Sequence, residues 1–160
     1  MEDVIAMEPN MAKYEAYKTM HEDLKKAIRA GFYYQAIFIE YAIAEDRCRS
    51  ALVFAGVKCV NNRGQELKLS AKINKLKSNS AFTAKYPRSR LTLELLDELY
   101  TWKQDRDALV HNLANIPYND EAVREAAERG KKLIDTLSNR VKSVNNYYKK
   151  LYAEQEKVND

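Results

Sequence analysis

With 160 residues, 46% of them hydrophobic and 31% charged, the chain is long enough for one buried core and too short to presume two. Four glycines, three prolines and two cysteines exclude collagen-like, low-complexity and disulfide-framework classes. The net charge is +4, and no apolar run approaches the roughly 18 residues that suggest a membrane span. The N-terminus, MEDVIAMEPN, is acidic and lacks a charged-then-apolar signal pattern, so a cytoplasmic protein is expected. Cys48 and Cys59 read as reduced core or loop residues. No second CxxC or histidine pair offers a metal cage, so neither metal nor cofactor is expected.

Apolar spacing predicts five helices and no strands. The first runs from about Met11 to Ala30, with Met11, Tyr14, Tyr17, Met20, Leu24, Ala27 and Ile28 on its inward side, and Gly31 breaks it. The second, Phe32 to about Ala55, is apolar almost all round through FYYQAIFIEYAIA, as a helix at the centre of a bundle is. Gly56 is its expected stop. GVKCVNNRGQE reads as a loop, because Asn-Asn-Arg-Gly is turn chemistry.

A short basic helix follows, Lys68 to about Asn79, with Leu69, Ile73 and Leu76 inward and the lysines outward. Tyr86 to Ser89 marks another loop. The fourth helix starts near Leu91 and carries the stripe Leu95, Leu99, Trp102, Arg106, Leu109 and Leu113. The last begins near Asn119, a suitable N-cap followed by acids. Its stripe runs from Val123 through Ala126, Gly130, Leu133, Leu137, Val141, Val144 and Tyr148 to Leu151. Glycine inside a helix costs about 1 kcal/mol against alanine, so Gly130 marks a close helix crossing. The fold class is therefore all-α: an up-and-down bundle of about five helices, one domain over 1–160, with a long C-terminal helix.

Charge is segregated. Between Lys58 and Arg90 nine basic residues face one acid, Glu66, a local charge of +8 that leaves −4 for the rest. A phosphate-backbone partner selects such a stretch, and so does a plain solvated lysine face. Lys68, Lys72, Lys75, Lys77, Arg88 and Arg90 are the candidate RNA contacts.

The most informative string is RDALVHN, Arg106 to Asn112. Arg106 sits at an inward position, where a guanidinium needs an anion or a polar cleft. Asp107 lies four residues before His111, close enough on a helix to orient the ring and raise its pKa. Arginine and histidine five apart stand about 140° apart round a helix and roughly 7.5 Å along it. One copy therefore does not aim both at one phosphate; two facing copies can, so a homodimer is expected. The competing structural reading pairs Arg106 with an acid and makes His111 a helix-end cap. Glu40, inside the apolar second helix, is a candidate partner for Arg106 or another buried cation.

On these residues the chain resembles the HEPN superfamily (higher eukaryotes and prokaryotes nucleotide-binding domain). Its signature is an arginine, a polar residue, and a histidine four to six positions beyond the arginine. RDALVH matches over six residues, with Asp107 in the polar slot, and the order of elements matches loosely over most of the chain. The resemblance implies an all-α dimer and, in many members, metal-independent endoribonuclease activity in toxin or antiviral settings. Some members pair with a nucleotidyltransferase antitoxin that modifies a tyrosine two residues after the histidine; here that place is Leu113. Other members are non-catalytic modules that bind nucleic acid, nucleotide or a partner protein.

In the enzyme reading Arg106, Asp107 and His111 are the catalytic set. His111 moves a proton, Arg106 offsets phosphorane charge, and Asp107 holds the imidazole. His21 reads as a surface or boundary residue. Arg47 and Arg49, after Glu45 and Asp46, suggest ordinary ion pairs within the bundle. The run Asn145 to Tyr152 mixes aromatics with lysines, as single-strand RNA binders do, although helical spacing puts Tyr148 in the core.

Overall fold

The computed structural model describes residues 2–78, 91–117 and 120–159, with side chains from residue 11 to residue 158 of these. Among the described residues five helices form: α1 (Glu2–Arg29), α2 (Tyr33–Phe54), α3 (Leu69–Ser78), α4 (Leu93–His111) and α5 (Glu121–Asn159). The only extended pairing among them is an isolated bridge between Val60 and Glu66 in the loop after α2. The protein is an all-α bundle with a long C-terminal helix.

The helix ends follow from the residues that cap them. Gly31 and Gly56 both adopt φ of 75°, the left-handed conformation that closes a helix with little penalty for glycine. After each, the next amide reaches back five residues: Phe32 N to Ala27 O at 2.8 Å and Val57 N to Leu52 O at 2.9 Å. Thr92 Oγ1 accepts from Leu95 N at 3.2 Å and starts α4. Asp120 Oδ1 accepts from Ala122 N at 2.9 Å at the head of α5; the expected cap, Asn119, lies outside the described residues.

α2 is the centre of the bundle, touching all four other helices, and α5 lies along most of its length. α3 bridges α2 and α4, and α4 packs on α5. The core is built from Leu24, Ile37, Ile43, Leu52, Leu69, Ile73, Leu99, Trp102, Leu137 and Val141, all fully buried.

Gly130 marks the close crossing expected of it. A Cβ there would overlap the Glu40 carboxylate and stand 2.7 Å from Trp102 Nε1. That indole donates to Ala126 O at 2.9 Å, so the three helices α2, α4 and α5 meet at this point.

Three expectations need correction. α1 begins at Glu2, well before Met11. Met11 and Tyr14 are 55% and 62% exposed, because Met11 lies about 140° round the helix from Leu24. Lys72 does not point outward: it is fully buried on the Leu69, Ile73 and Leu76 side of α3. Its ammonium reaches Glu66 at 2.9 Å and Glu45 at 3.6 Å, which offsets the desolvation of the charge.

Candidate functional site

The motif occupies the last two turns of α4. Arg106 projects towards α2, where its guanidinium lies 4.3 Å over the Tyr41 ring and 5.3 Å from the centre of Phe38. Its side chain is only 14% exposed. One Nη donates to Asp107 Oδ1 at 3.0 Å, while Nε is buried without a partner among the described residues. Two aromatic faces and one carboxylate thus hold a cation that retains unused N–H groups.

Asp107 is engaged on both sides. Its second oxygen takes Lys103 at 2.7 Å, the i,i+4 pairing along the helix. Partial burial pushes its carboxyl up, but the bonds from Lys103 and Arg106 prevail and hold it below the usual carboxylate range. The bond to Asp107 in turn raises Lys103 above an ordinary lysine.

The expected grip of Asp107 on His111 is not made: the two oxygens go to Lys103 and Arg106. His111 is the last residue of α4 and is exposed, with no hydrogen bond to any described residue. Glu40 does not answer Arg106 either. It lies fully buried beside Gly130, both oxygens without partners among the described residues, and desolvation pushes its pKa up to about 9. The structure therefore gathers Lys103, Arg106 and Asp107 into one cluster and leaves His111 apart.

On the other flank of α4 a groove of about 630 Å³ runs against α5, lined by Asp105, Ala108, Leu109, Asn112, Ala126 and Arg129 among others. Neither Arg106 nor His111 lines it.

The candidate RNA contacts fall into four groups. Lys68 is exposed and makes no ion pair among the described residues. Lys75 Nζ donates to Lys58 O at 2.9 Å, and Lys77 pairs with Asp97. Lys72 is internal, and Arg88 and Arg90 lie outside the described residues. Phe38 and Tyr41, which form the Arg106 platform, were not anticipated. Their signal is the aromatic i,i+3 pair on the otherwise aliphatic middle of α2.

His21, Arg47 and Arg49 make ring contacts and ion pairs within the bundle. His21 stands edge-on to Tyr17 at 4.6 Å, and burial lowers its pKa. Arg47 pairs with Asp46 and covers the Tyr17 ring, and Arg49 pairs with Glu66. Among the described residues no group of three His, Cys, Asp or Glu side chains is placed to hold a metal ion, and no described helix is long and apolar enough to cross a membrane.

No protein-family model matches the chain, and no match is found among curated proteins or solved structures.

Proposed function

We propose that the chain is a metal-independent endoribonuclease of the HEPN type, with a composite site assembled from Arg106 and His111 of two copies. One observation carries the reading: at the end of α4 a guanidinium held against two aromatic rings lies a turn and a half before an exposed, unengaged imidazole. The all-α bundle with this motif in its penultimate helix agrees with the layout that the resemblance implies.

In this reading one His111 accepts the proton of an RNA 2′-hydroxyl as its oxygen attacks the adjacent phosphorus. The His111 of the second copy donates a proton to the departing 5′-oxygen, leaving a 2′,3′-cyclic phosphate. Arg106 meets the charge that builds on the phosphoryl oxygens, a role worth about 10²–10³ in rate for one donor. Proton transfer by the histidines is worth about 10²–10⁴. Asp107 acts on Arg106, fixing its guanidinium against Tyr41 and Phe38, rather than on the imidazole. Lys68 and Lys75 extend the phosphate contacts. A setting as toxin or antiviral effector, with an antitoxin to restrain it, fits such an activity in the cytoplasm.

The test is incubation of purified protein with total RNA in EDTA. Wild type is expected to cut, while Arg106→Ala and His111→Ala do not and keep their helicity and dimeric mass. Equal cutting by all three, or a clean monomer at micromolar concentration, would overturn the reading.

A second reading, a non-catalytic helical module of the same fold, draws on the low exposure of Arg106 and the capture of Asp107 by Lys103. Toxicity on expression that is relieved by His111→Ala separates the two.

A further inference from the structure

At the far end of the bundle the tail of α5 lays tyrosine and lysine side chains against the last turn of α2. Tyr152 stacks on Tyr148, with ring centroids 6.0 Å apart and an interplanar angle of 30°. Its hydroxyl donates to Phe54 O at 2.6 Å, which pins the ring to the end of α2. The residue nevertheless remains 43% exposed. Next to it the Lys149 ammonium lies 5.5 Å over the Phe54 ring, and Val53 is 54% exposed.

Lysines dominate the charge here. Lys58 follows Phe54 by four residues in the chain, and the Lys75 ammonium bonds its carbonyl at 2.9 Å. Lys58, Lys149 and Lys150 have no ion pair among the described residues. Glu66 is already held by Lys72 and Arg49. Glu154, one turn beyond Lys150, and Glu156, one turn beyond Tyr152, are the acids on this stretch of α5.

We propose that this end of the bundle binds single-stranded RNA, with Tyr152 as a base-stacking platform and Lys58, Lys149 and Lys150 as phosphate contacts. A ring already immobilised by a hydroxyl bond and a stacked neighbour loses little further freedom when a base settles on it. Cations at its rim then follow the backbone, the combination by which single strands are bound without sequence preference. A duplex presents no free base face to such a ring. The surface is separate from the candidate cleavage site: Phe54 lies roughly 24 Å along α2 from Phe38, where Arg106 rests. It therefore stands or falls independently of the proposed activity.

The experiment uses the full chain carrying His111→Ala, so that cleavage plays no part in the readout. Fluorescence anisotropy compares a labelled 12-residue oligouridine, an abasic phosphodiester of the same length, and a duplex RNA. The oligouridine is expected to bind about tenfold tighter than the abasic strand. Tyr152→Ala brings it down to the abasic level, and Tyr152→Phe, which keeps the ring, retains most of the difference. The exposed pair Lys149→Ala with Lys150→Ala makes the salt dependence shallower, by about 1.4 in the log–log slope for two lost contacts. Circular dichroism checks that each variant keeps its helicity. Equal affinity of the His111→Ala chain for the three polymers, or oligouridine binding unchanged by adding Tyr152→Ala, would overturn the proposal. Tighter binding to anionic vesicles than to oligouridine would replace it with a membrane surface.

Discussion

Gly130 of α5 meets Glu40 of α2 so closely that the space a methyl group would need is filled by the carboxylate. The Trp102 indole closes the other side, itself tied to Ala126 O. On helix propensity alone, Gly130→Ala would stabilise by about 1 kcal/mol. Overpacking of this kind costs about 1–3 kcal/mol, and the carboxylate has no solvent to retreat into. The expected outcome is a net loss of up to about 2 kcal/mol, read as a lower urea midpoint at unchanged slope. A gain would mean that the crossing opens without penalty.

The same contact makes stability depend on pH. Burial pushes the Glu40 pKa up to about 9, so the folded protein keeps a proton that the unfolded chain releases in the ordinary carboxylate range. The native state then binds more protons than the unfolded one, and stability falls as pH rises through that interval. The loss levels off once pH passes about 9, where the folded form also ionises. Urea unfolding at a series of pH values should show this decline, and Glu40→Gln should flatten it and exceed wild type at the alkaline end. A wild-type curve as flat as that of the variant would contradict a neutral, buried acid.

Lys72 separates charge from volume. Its ammonium is buried, but its partners Glu66 and Glu45 are 53% and 38% exposed and can be hydrated when it is removed. Lys72→Met preserves the stem and should change stability by less than about 1.5 kcal/mol. Lys72→Ala leaves a cavity under α3 and should cost about 2–4 kcal/mol. Thermal unfolding of both variants checks the difference. RNA affinity of Lys72→Met should equal that of wild type, since no phosphate reaches this position.

For the proposed nuclease, Asp107→Asn is the informative change. It weakens the hold on Arg106 and Lys103, so cleavage should drop by about tenfold or more through misplaced transition-state charge. The pH dependence attributable to His111 should stay where it is, because Asp107 does not bond the ring. A displaced pH profile with an unchanged maximum rate would instead assign Asp107 to the imidazole.

His21 gives a smaller acid-side effect. Burial lowers its pKa, so the unfolded chain takes up the proton first as pH falls, and stability declines below the ordinary histidine range. His21→Phe keeps the edge-on contact with Tyr17 and should remove that decline. The measurement is the urea midpoint at acid pH relative to neutral.

Much of the fold was legible because apolar periodicity and helix caps are local signals. Gly31 and Gly56 stop α1 and α2 where glycine permits the left-handed turn, and the α5 stripe is buried from Val123 to Tyr148, with only Val144 partly open. The start of α1 was hidden by Pro9, which lacks the amide that a helix interior uses. The burial of Lys72 was readable after all: it lies three residues after Leu69 and four before Leu76, and the one acid in its basic segment, Glu66, is its partner.

The site was less legible, because competition among polar neighbours is not written in spacing. Lys103 and His111 stand equally far from Asp107, one turn either way. The ammonium secures the carboxylate, while the ring remains in solvent. The rings beneath Arg106 come from α2, and long-range placement of that kind has no periodic signature.

The pinched crossing also governs how α2 and α5 can move. Sliding α5 by a single position would drive the side chain of Arg129 or Lys131 into the place of a hydrogen atom. The pair can splay at their tips, yet it cannot translate.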